Sequence, residues 1–519
     1  MHSELISALR DPDRYPHPVD QVELLETHIS WVLLAGDWVY KIKKPVDFGF
    51  LDFSSLASRE HFCREELRLN RRHAAELYDA LVTITGSPSK PLLGGDGPPI
   101  EYAVRMRRFD ADSRFDQLLA GGQLQARHMD ELAAELAALH RIAEPAAEDS
   151  DFGQPDQVIA PMRDNFTVLF DLVDQPARRE QLERLSRWTE AQFDSLAELI
   201  AERRRDGFVR ECHGDVHLGN VALYQGQTIL FDCLEFSPEL RWTDVMADLA
   251  FAVMDLRERG AEALSWRLLD RYLAETGDYP GLALLAFYAV YRAMVRAKVA
   301  AISRADADAA GRQRLERELD QYLGLAEGLA RGRQTVLVLT CGVSGSGKSW
   351  LAERLLEQSG LVRLRSDVER KRLHGLAPGA NSESGLASGL YSAAASEQTY
   401  ARLADLSQAV LEAGYPVLVD ATFLKRAQRE RFAELARAHG VPFGIVACEA
   451  DLATLEKRVQ SRCAAGTDAS EADLAVLERQ LGSVEPCTSL EGPCLRLETA
   501  QAQAVEQAAD WLGQLASDG

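Results

Sequence analysis

The sequence has no CxxC pair and no histidine spacing suited to zinc. Its eight cysteines, Cys63, Cys212, Cys233, Cys341, Cys448, Cys463, Cys487 and Cys494, are scattered along the chain. That pattern argues against a disulfide-stapled secreted scaffold and against a structural metal site, and it reads as reduced, mostly buried thiols. Long apolar runs are missing too. The longest, residues 282–291, stops at Arg292, far short of the roughly 20 residues that cross a bilayer. Residues 1–16 lack the basic-then-apolar order of a signal peptide, with Glu4 already acidic. A cytoplasmic location and no membrane partner are expected. Basic residues are in deficit, 58 against 80 acidic ones, for a formal charge of −22. Such a molecule repels polyanions, so a long nucleic-acid footprint is not expected, whereas a local basic cleft and a short oligonucleotide remain compatible with it.

What is present is a chain of 519 residues, 46% hydrophobic and 27% charged. That is the balance of a globular protein, with material for roughly three compact units of ordinary size. Residues 27–44 read as a hairpin turning at Gly36 and Asp37, and residues 54–77 as a helix. A second strand pair brackets the turn-rich segment 86–99 and ends in 101–109. Residues 129–141 and 161–205 are helical in pattern, and 312–329 form a charged amphipathic helix. Beyond about residue 331, apolar strands at 335–342, 361–366, 416–423, 443–449 and 494–499 alternate with helical stretches, as in a parallel sheet covered on both faces. Residues 378–396, rich in Gly, Ser and Ala, are the candidate mobile loop.

Two devices for handling phosphates stand out. The first is HGDVHLGN, residues 213–220, followed by QTILFD, residues 227–232. Phosphoryl transfer asks a protein for a carboxylate near the attacking hydroxyl and for metal ligands on the phosphates. Asp215 is the natural base, and Asn220 and Asp232 are natural Mg²⁺ ligands. His213 and His217 read as packing and hydrogen-bonding residues ahead of metal ligands. Glu235 either assists a second Mg²⁺ or faces solvent.

Residues 25–300 resemble the aminoglycoside phosphotransferase family through HGDVHLGN, the following FDCLEF, and WVYKIKK at 38–44. The resemblance implies a bilobal protein-kinase-like fold in which Lys41 contacts the ATP phosphates and pairs with a helix glutamate, Glu66 in preference to Glu65. Lys43 shares the face of Lys41 and competes for that role. The turn expected over the phosphates, residues 26–30, has no glycine, so either the hydroxyls of Thr27 or Ser30 contact the phosphates or this lobe binds nucleotide weakly.

The second device is GVSGSGKS, residues 342–349, between an apolar strand and a helical stretch, which is a Walker A loop in its required setting. Gly342, Ser344, Gly345, Ser346 and Gly347 turn amides onto the phosphates, Lys348 bridges them, and Ser349 supplies a Mg²⁺ ligand. Asp367 ends the next strand beside Arg370, where a carboxylate can orient an acceptor hydroxyl, and Asp420 ends a third strand, where it can hold Mg²⁺ through water. Arg458 and Arg462, one helical turn apart, read as lid arginines. The elements GVSGSGKS, SDVER, VDATF and RVQSR resemble the small P-loop kinases that include polynucleotide kinase, gluconate kinase and the zeta toxins. By that resemblance Asp367 is the base, Arg370 a substrate clamp, and Arg458 and Arg462 transition-state cations, with residues 375–396 shaping the acceptor site.

The fold expected is therefore a two-domain chain of α/β and α+β class. A kinase-like domain over 1–330 has its small lobe at about 1–108 and its helical lobe at about 109–330, and a P-loop kinase domain covers 331–519. The leading expectation is a bifunctional ATP-dependent phosphotransferase with Mg²⁺, each domain acting on a hydroxyl of a small acceptor. One alternative keeps only the P-loop domain catalytic, on a nucleotide or oligonucleotide 5′-hydroxyl, with the first domain recruiting substrate. Another is an ATP-responsive regulator without transferase activity.

Overall fold

A computed structural model describes residues 2–49, 51–305, 307–380, 392–465, 470, 472–488 and 491–517. Of the segments expected to be mobile and to shape the acceptor site, residues 381–391 lie outside the described residues. The chain groups into two compact units, residues 1–165 with 193–255, and 166–192 with 256–519. Among the described residues no helix is long and apolar enough to cross a membrane.

In the first unit, β1 (Val22–Glu26), β2 (Ser30–Ala35), β3 (Trp38–Lys43), β4 (Tyr78–Ser87), β5 (Lys90–Leu93) and β6 (Glu101–Arg107) form one antiparallel sheet in the order β1-β2-β3-β6-β4-β5. The turn between β2 and β3 needs Gly36: its φ is 60°, and a Cβ there would lie 2.8 Å from the Pro18 carbonyl oxygen. Side chains alternate across β3 and both faces are buried. Tyr40 and Ile42 join Leu33, Val82 and Ile84 in a core that also takes Leu5 and Ile6 of the helix His2–Ala8. Lys41 and Lys43 point to the other face.

That second face is covered by the helix Leu56–Asn70, whose start is capped by the Ser55 hydroxyl accepting from the Ser58 amide at 3.0 Å. The helix stops short of the predicted residue 77. The Asn70 side chain folds back on the Glu66 carbonyl at 2.8 Å and takes the Cys233 amide at 3.0 Å, so Asn70 terminates the helix and serves as an anchor. The rest of the unit includes the helices Ala126–Ile142 and Val245–Glu258 and the strands β7 (Val209–Glu211), β8 (Val221–Tyr224), β9 (Gln227–Leu230) and β10 (Trp242–Asp244), pairing β7 with β10 and β8 with β9. The region read as helical over 161–205 is two helices, Pro155–Leu172 and Pro176–Arg205, parted before Pro176.

In the second unit all five expected strands form: β11 (Leu337–Cys341), β12 (Val362–Arg365), β13 (Val417–Asp420), β14 (Phe443–Glu449) and β15 (Cys494–Glu498). They make a parallel sheet in the order β12-β13-β11-β14-β15. The helices Lys348–Ser359 and Ala504–Ser517 pack on one face and Ala393–Glu412 and Arg426–Ala438 on the other. The helices Glu262–Thr276, Leu282–Ser303 and Ala309–Ala330, grouped by the sequence reading with the residues before 331, belong to this same unit. Arg363 on β12 is 3% exposed and is held by Asp270 through two bonds of 3.1 and 2.7 Å. Buried Trp266 lies so close to Gly360 that a Cβ there would come within 2.8 Å of the indole.

An Asp270→Ala chain would keep Arg363 buried without its counter-ion, a loss of about 3–5 kcal/mol. Thermal unfolding of the full chain measures it, and a loss below about 1 kcal/mol would mean that this pair does not hold the helix Glu262–Thr276 to the sheet.

Candidate functional site

The hairpin of β8 and β9 explains how Asn220 and Asp232 come together. Val221 pairs with Leu230, and the Phe231 amide donates to the Asn220 carbonyl at 3.0 Å, so the residues flanking the hairpin emerge side by side. The Asn220 side chain donates to the Asp215 carbonyl and to its carboxylate Oδ2, both at 3.0 Å. His217 also faces this carboxylate, with Nε2 at 3.5 Å. Asp232 has a φ of 63°, and its amide donates to the Tyr78 hydroxyl at 3.0 Å. Its carboxylate meets the Lys41 ammonium.

Lys41 also reaches Glu66 at 2.9 Å, and Lys43 reaches the other oxygen of Glu66 at 2.7 Å and binds Glu235. Glu65 instead pairs with Arg68 at 2.8 Å. Burial disfavours a charged Lys41, but Asp232 and Glu66 outweigh it and hold the ammonium well above its ordinary range. Burial likewise opposes ionisation of Glu66, and the two lysines overcome it and hold the carboxyl well below the usual range. Glu235 is 4% exposed, so it does not face solvent. Burial, with repulsion from Glu66, pushes its pKa up against the attraction of Lys43. Two cations thus face three carboxylates. The carboxylate left accessible is Asp232, with 40% of its side chain exposed beside Asn220. An oxygen-rich pair with surplus negative charge fits a hard divalent cation such as Mg²⁺.

The loop itself hangs from a residue that the motif does not contain. Asp248, fully buried, accepts the amides of His213 at 2.8 Å and Gly214 at 2.9 Å and faces His140 Nε2 at 3.3 Å. One heptad on, Asp255 accepts the Leu218 amide at 2.8 Å. A pair of aspartates seven residues apart inside the apolar stretch VMADLAFAVMDL was the available signal. Both ring nitrogens of His213 are engaged, Nε2 with the Phe231 carbonyl at 3.0 Å and Nδ1 with the Asp215 amide at 3.3 Å. Of the two hydroxyls offered for phosphate, that of Thr27 closes its own turn on the Ser30 amide at 3.0 Å. That of Ser30 is buried with no partner among the described residues.

In the second unit the loop after β11 leads into the helix Lys348–Ser359, capped by Gly347 at a φ of 86°. A Cβ at Gly342 would meet the Cys448 carbonyl oxygen at 2.5 Å, so the loop passes where only glycine fits. Lys348 Nζ donates to the Val343 carbonyl at 2.8 Å. Its burial lowers the pKa, partly offset by Asp420 and Asp367. Because Arg365 pairs with Asp420 in register, the ends of β12 and β13 set Asp367 and Asp420 at one level. Ser344, Lys348, Ser349, Asp367, Arg370, Asp420 and Arg462 line a common cavity of about 320 Å³. Asp367 pairs with Arg370 at 2.7 Å. Burial raises the pKa of its carboxyl less than Arg370 and Arg365 lower it.

Arg458 departs from the lid expectation. Its guanidinium donates to the Gly345 carbonyl at 3.2 Å and to the Thr499 hydroxyl at 2.9 Å, and Thr499 donates to the Ser346 carbonyl at 2.7 Å. Arg458 thus braces the loop from behind, and only Arg462 of the pair lines the cavity. The two diverge because loop carbonyls capture the first, while the second donates to the Ala472 carbonyl at 2.8 Å. Gln480 was not anticipated either: its side-chain oxygen accepts the Ser344 amide at 2.7 Å.

Residues 66–285 match the model of the phosphotransferase enzyme family, and residues 337–487 match that of an AAA domain. Uncharacterized proteins of Mycobacterium tuberculosis and Mycobacterium bovis are 30% identical over 460 residues, covering 88% of this chain and 89% of theirs. Among solved structures, a choline kinase from Cryptosporidium parvum is 12% identical with a TM-score of 0.40, over 62% of this chain and 95% of that one. A gluconokinase from Sinorhizobium meliloti is 23% identical with a TM-score of 0.27, over 36% and 96%.

Two outcomes are expected at the first site. Asp248→Ala deprives two buried amides of their acceptor, at about 1–3 kcal/mol each, and urea denaturation should register the sum; a cost under about 1 kcal/mol would mean other acceptors hold the loop. His73, brought from 6.5 to about 3 by burial and then by the charges of His213 and Arg72, takes its proton later when folded than when unfolded. The unfolded state binds more protons between those values, so stability falls as pH drops through that window. His73→Gln should flatten this part of the stability–pH curve, and an unchanged slope assigns it to other groups.

Proposed function

The chain belongs to the family of these mycobacterial proteins, an ATP-dependent kinase family by both of its domains, and from that premise we propose that each domain transfers the γ-phosphoryl group of Mg-ATP to a hydroxyl of its own small acceptor. The domains in this reading run through about residue 330 and from 331 onward. The observation that carries it is that each site ties its acid to a group offered for Mg²⁺ or phosphate: Asp215, bonded by Asn220 at 3.0 Å, and Asp367, in one cavity with Lys348 and Asp420.

In the first site Asp215 takes the acceptor hydroxyl proton, Lys41 holds the nucleotide phosphates, and Glu66 keeps Lys41 in place. Asn220 and Asp232 would hold Mg²⁺. In the second, Gly342, Ser344, Gly345, Ser346 and Gly347 present amides to the phosphates. Lys348 neutralises them, Ser349 and Asp420 would hold Mg²⁺, Asp367 orients the acceptor, Arg370 clamps it and Arg462 faces the transferring group. Held there, Mg²⁺ would supply positive charge to offset that of the phosphates during transfer. Arg458, tied to the loop carbonyls, takes a bracing role. A cytoplasmic setting is part of the proposal, in keeping with cysteines that are all free.

One observation favours the nucleotide or oligonucleotide alternative for the second site. Lys348, Arg365, Arg370, Lys425, Arg462 and Arg479 line the cavity against Asp367 and Asp420, a cationic excess in a chain of charge −22. That excess suits an acceptor that itself carries phosphate or carboxylate.

Incubation of a metabolite extract with Mg-ATP and the wild type, Asp215→Ala or Lys348→Ala, followed by mass spectrometry, tests the proposal. Two sets of phosphorylated products are expected, each lost from one variant by roughly 10²–10⁴-fold. Products lost only from Lys348→Ala would leave the first domain a recruiting module. ATP binding without any product would make the chain a regulator.

A further inference from the structure

Three cysteines, Cys341 and the pair Cys487 and Cys494 far downstream of it, meet at the foot of the P-loop. Cys341 ends β11 immediately before Gly342, and its sulfur lies 3.4 Å from that of Cys487. Cys494, at the start of β15, hydrogen-bonds the same Cys487 thiol. Cys341 and Cys487 are 4% and 9% exposed, and the segment carrying Cys487 is fixed on several sides. The Glu485 amide donates to the Leu424 carbonyl at 2.9 Å. Fully buried Arg429 binds Glu491 at 2.5 Å and donates to the Pro486 carbonyl at 3.4 Å, and Arg496 donates to the Cys487 carbonyl at 3.3 Å.

Its contacts with the Cys341 and Cys494 thiols, then the charges of Arg429 and Arg496, hold the Cys487 thiol below its ordinary range against burial. A thiol in contact with a second thiol is the arrangement in which oxidation ends in a disulfide instead of climbing to sulfinic acid. The three sulfurs do not all lie within metal-binding reach of one another; among the described residues the side-chain groups that do are His73, His213 and Cys233, and His140, Cys212 and Asp248. Cys487 is the shared member of two thiol contacts.

We propose that Cys487 and Cys341 form an oxidation site that reacts with a hydroperoxide to give a disulfide, lowering the affinity of the P-loop for nucleotide. The Cys487 sulfur attacks the peroxide oxygen, the O–O bond breaks, and a sulfenic acid and one water form from hydrogen peroxide. The Cys341 sulfur then attacks that sulfenic sulfur, the S–S bond forms, and the hydroxyl leaves as a second water with the Cys341 proton. The two sulfurs supply the two electrons that the peroxide takes up. A disulfide bond is about 2.05 Å long, so sulfurs now 3.4 Å apart must close by on the order of 1 Å. The movement falls on Cys341, bonded to the first loop glycine, and on the segment running back to Ser483 and Gln480 in the cavity wall. Loop amides bind phosphate by position, and a shift of that size costs them contact.

The effect on nucleotide rests on the P-loop reading above; the crosslink does not. Full-length protein, reduced or treated with hydrogen peroxide, is alkylated, digested without reductant and mapped by mass spectrometry. Binding of a fluorescent ATP analogue is measured alongside, the component missing from Lys348→Ala being that of the P-loop. The expected result is a Cys341–Cys487 peptide with severalfold weaker P-loop binding, both reversed by dithiothreitol, retained in Cys494→Ser and absent from Cys487→Ser. The wild-type map decides the crosslink even if a variant fails to fold. No such peptide, a Cys487–Cys494 peptide in its place, or a crosslink with unchanged binding overturns the proposal. A reduced protein with no Lys348-dependent binding overturns the P-loop reading instead, which the peptide map reports separately.

Discussion

Glu66 accepts two ammonium groups at once, Lys41 on one oxygen and Lys43 on the other, and this shared carboxylate is what allows β3 to carry two lysines into the interior. Each of these groups alone would be too costly to bury. Together with Glu235 they form a charge-paired seam, and the helix Leu56–Asn70 is fixed against the sheet by electrostatics as well as by packing among Cys63, Leu67, Tyr102 and Val104. The position of Asp232 follows from that seam, because Lys41 binds it directly. Removing Glu66 would leave three charged partners to find new arrangements.

The second unit reaches a comparable result by a different route. Among the described residues nothing there resembles the lysine seam; the parallel register of β11, β12 and β13 brings three strand ends to one edge of the sheet. Lys348, Asp367 and Asp420 follow from those ends. Backbone geometry places the chemistry in one unit, and a chain of buried side-chain charges places it in the other.

What was legible in the sequence divides along the same line. Residues set by local backbone pattern were readable: the five strands of the second unit, the loop from Gly342 to Ser349, and the spacing from Asp215 to Asn220 and Asp232. Residues whose role comes from tertiary partners were not. Asp248 and Asp255 anchor the loop from a helix outside the motif, Tyr78 and Asn70 hold the amides on either side of the Asp232 peptide, and Gln480 and Thr499 approach the P-loop from distant segments. Arg458 illustrates the limit well. It lies one helical turn from Arg462, yet spacing says nothing about which carbonyl captures a guanidinium.

The Gln480 side-chain oxygen accepts the Ser344 amide and so sits where a phosphate oxygen would sit in this type of loop. The amide is satisfied before any ligand arrives, so the loop does not have to stay ordered around an unmet donor. A triphosphate drawing on that same amide would compete with a side chain of the helix Leu474–Leu481, so affinity at this corner of the loop would be set by the difference between two acceptors.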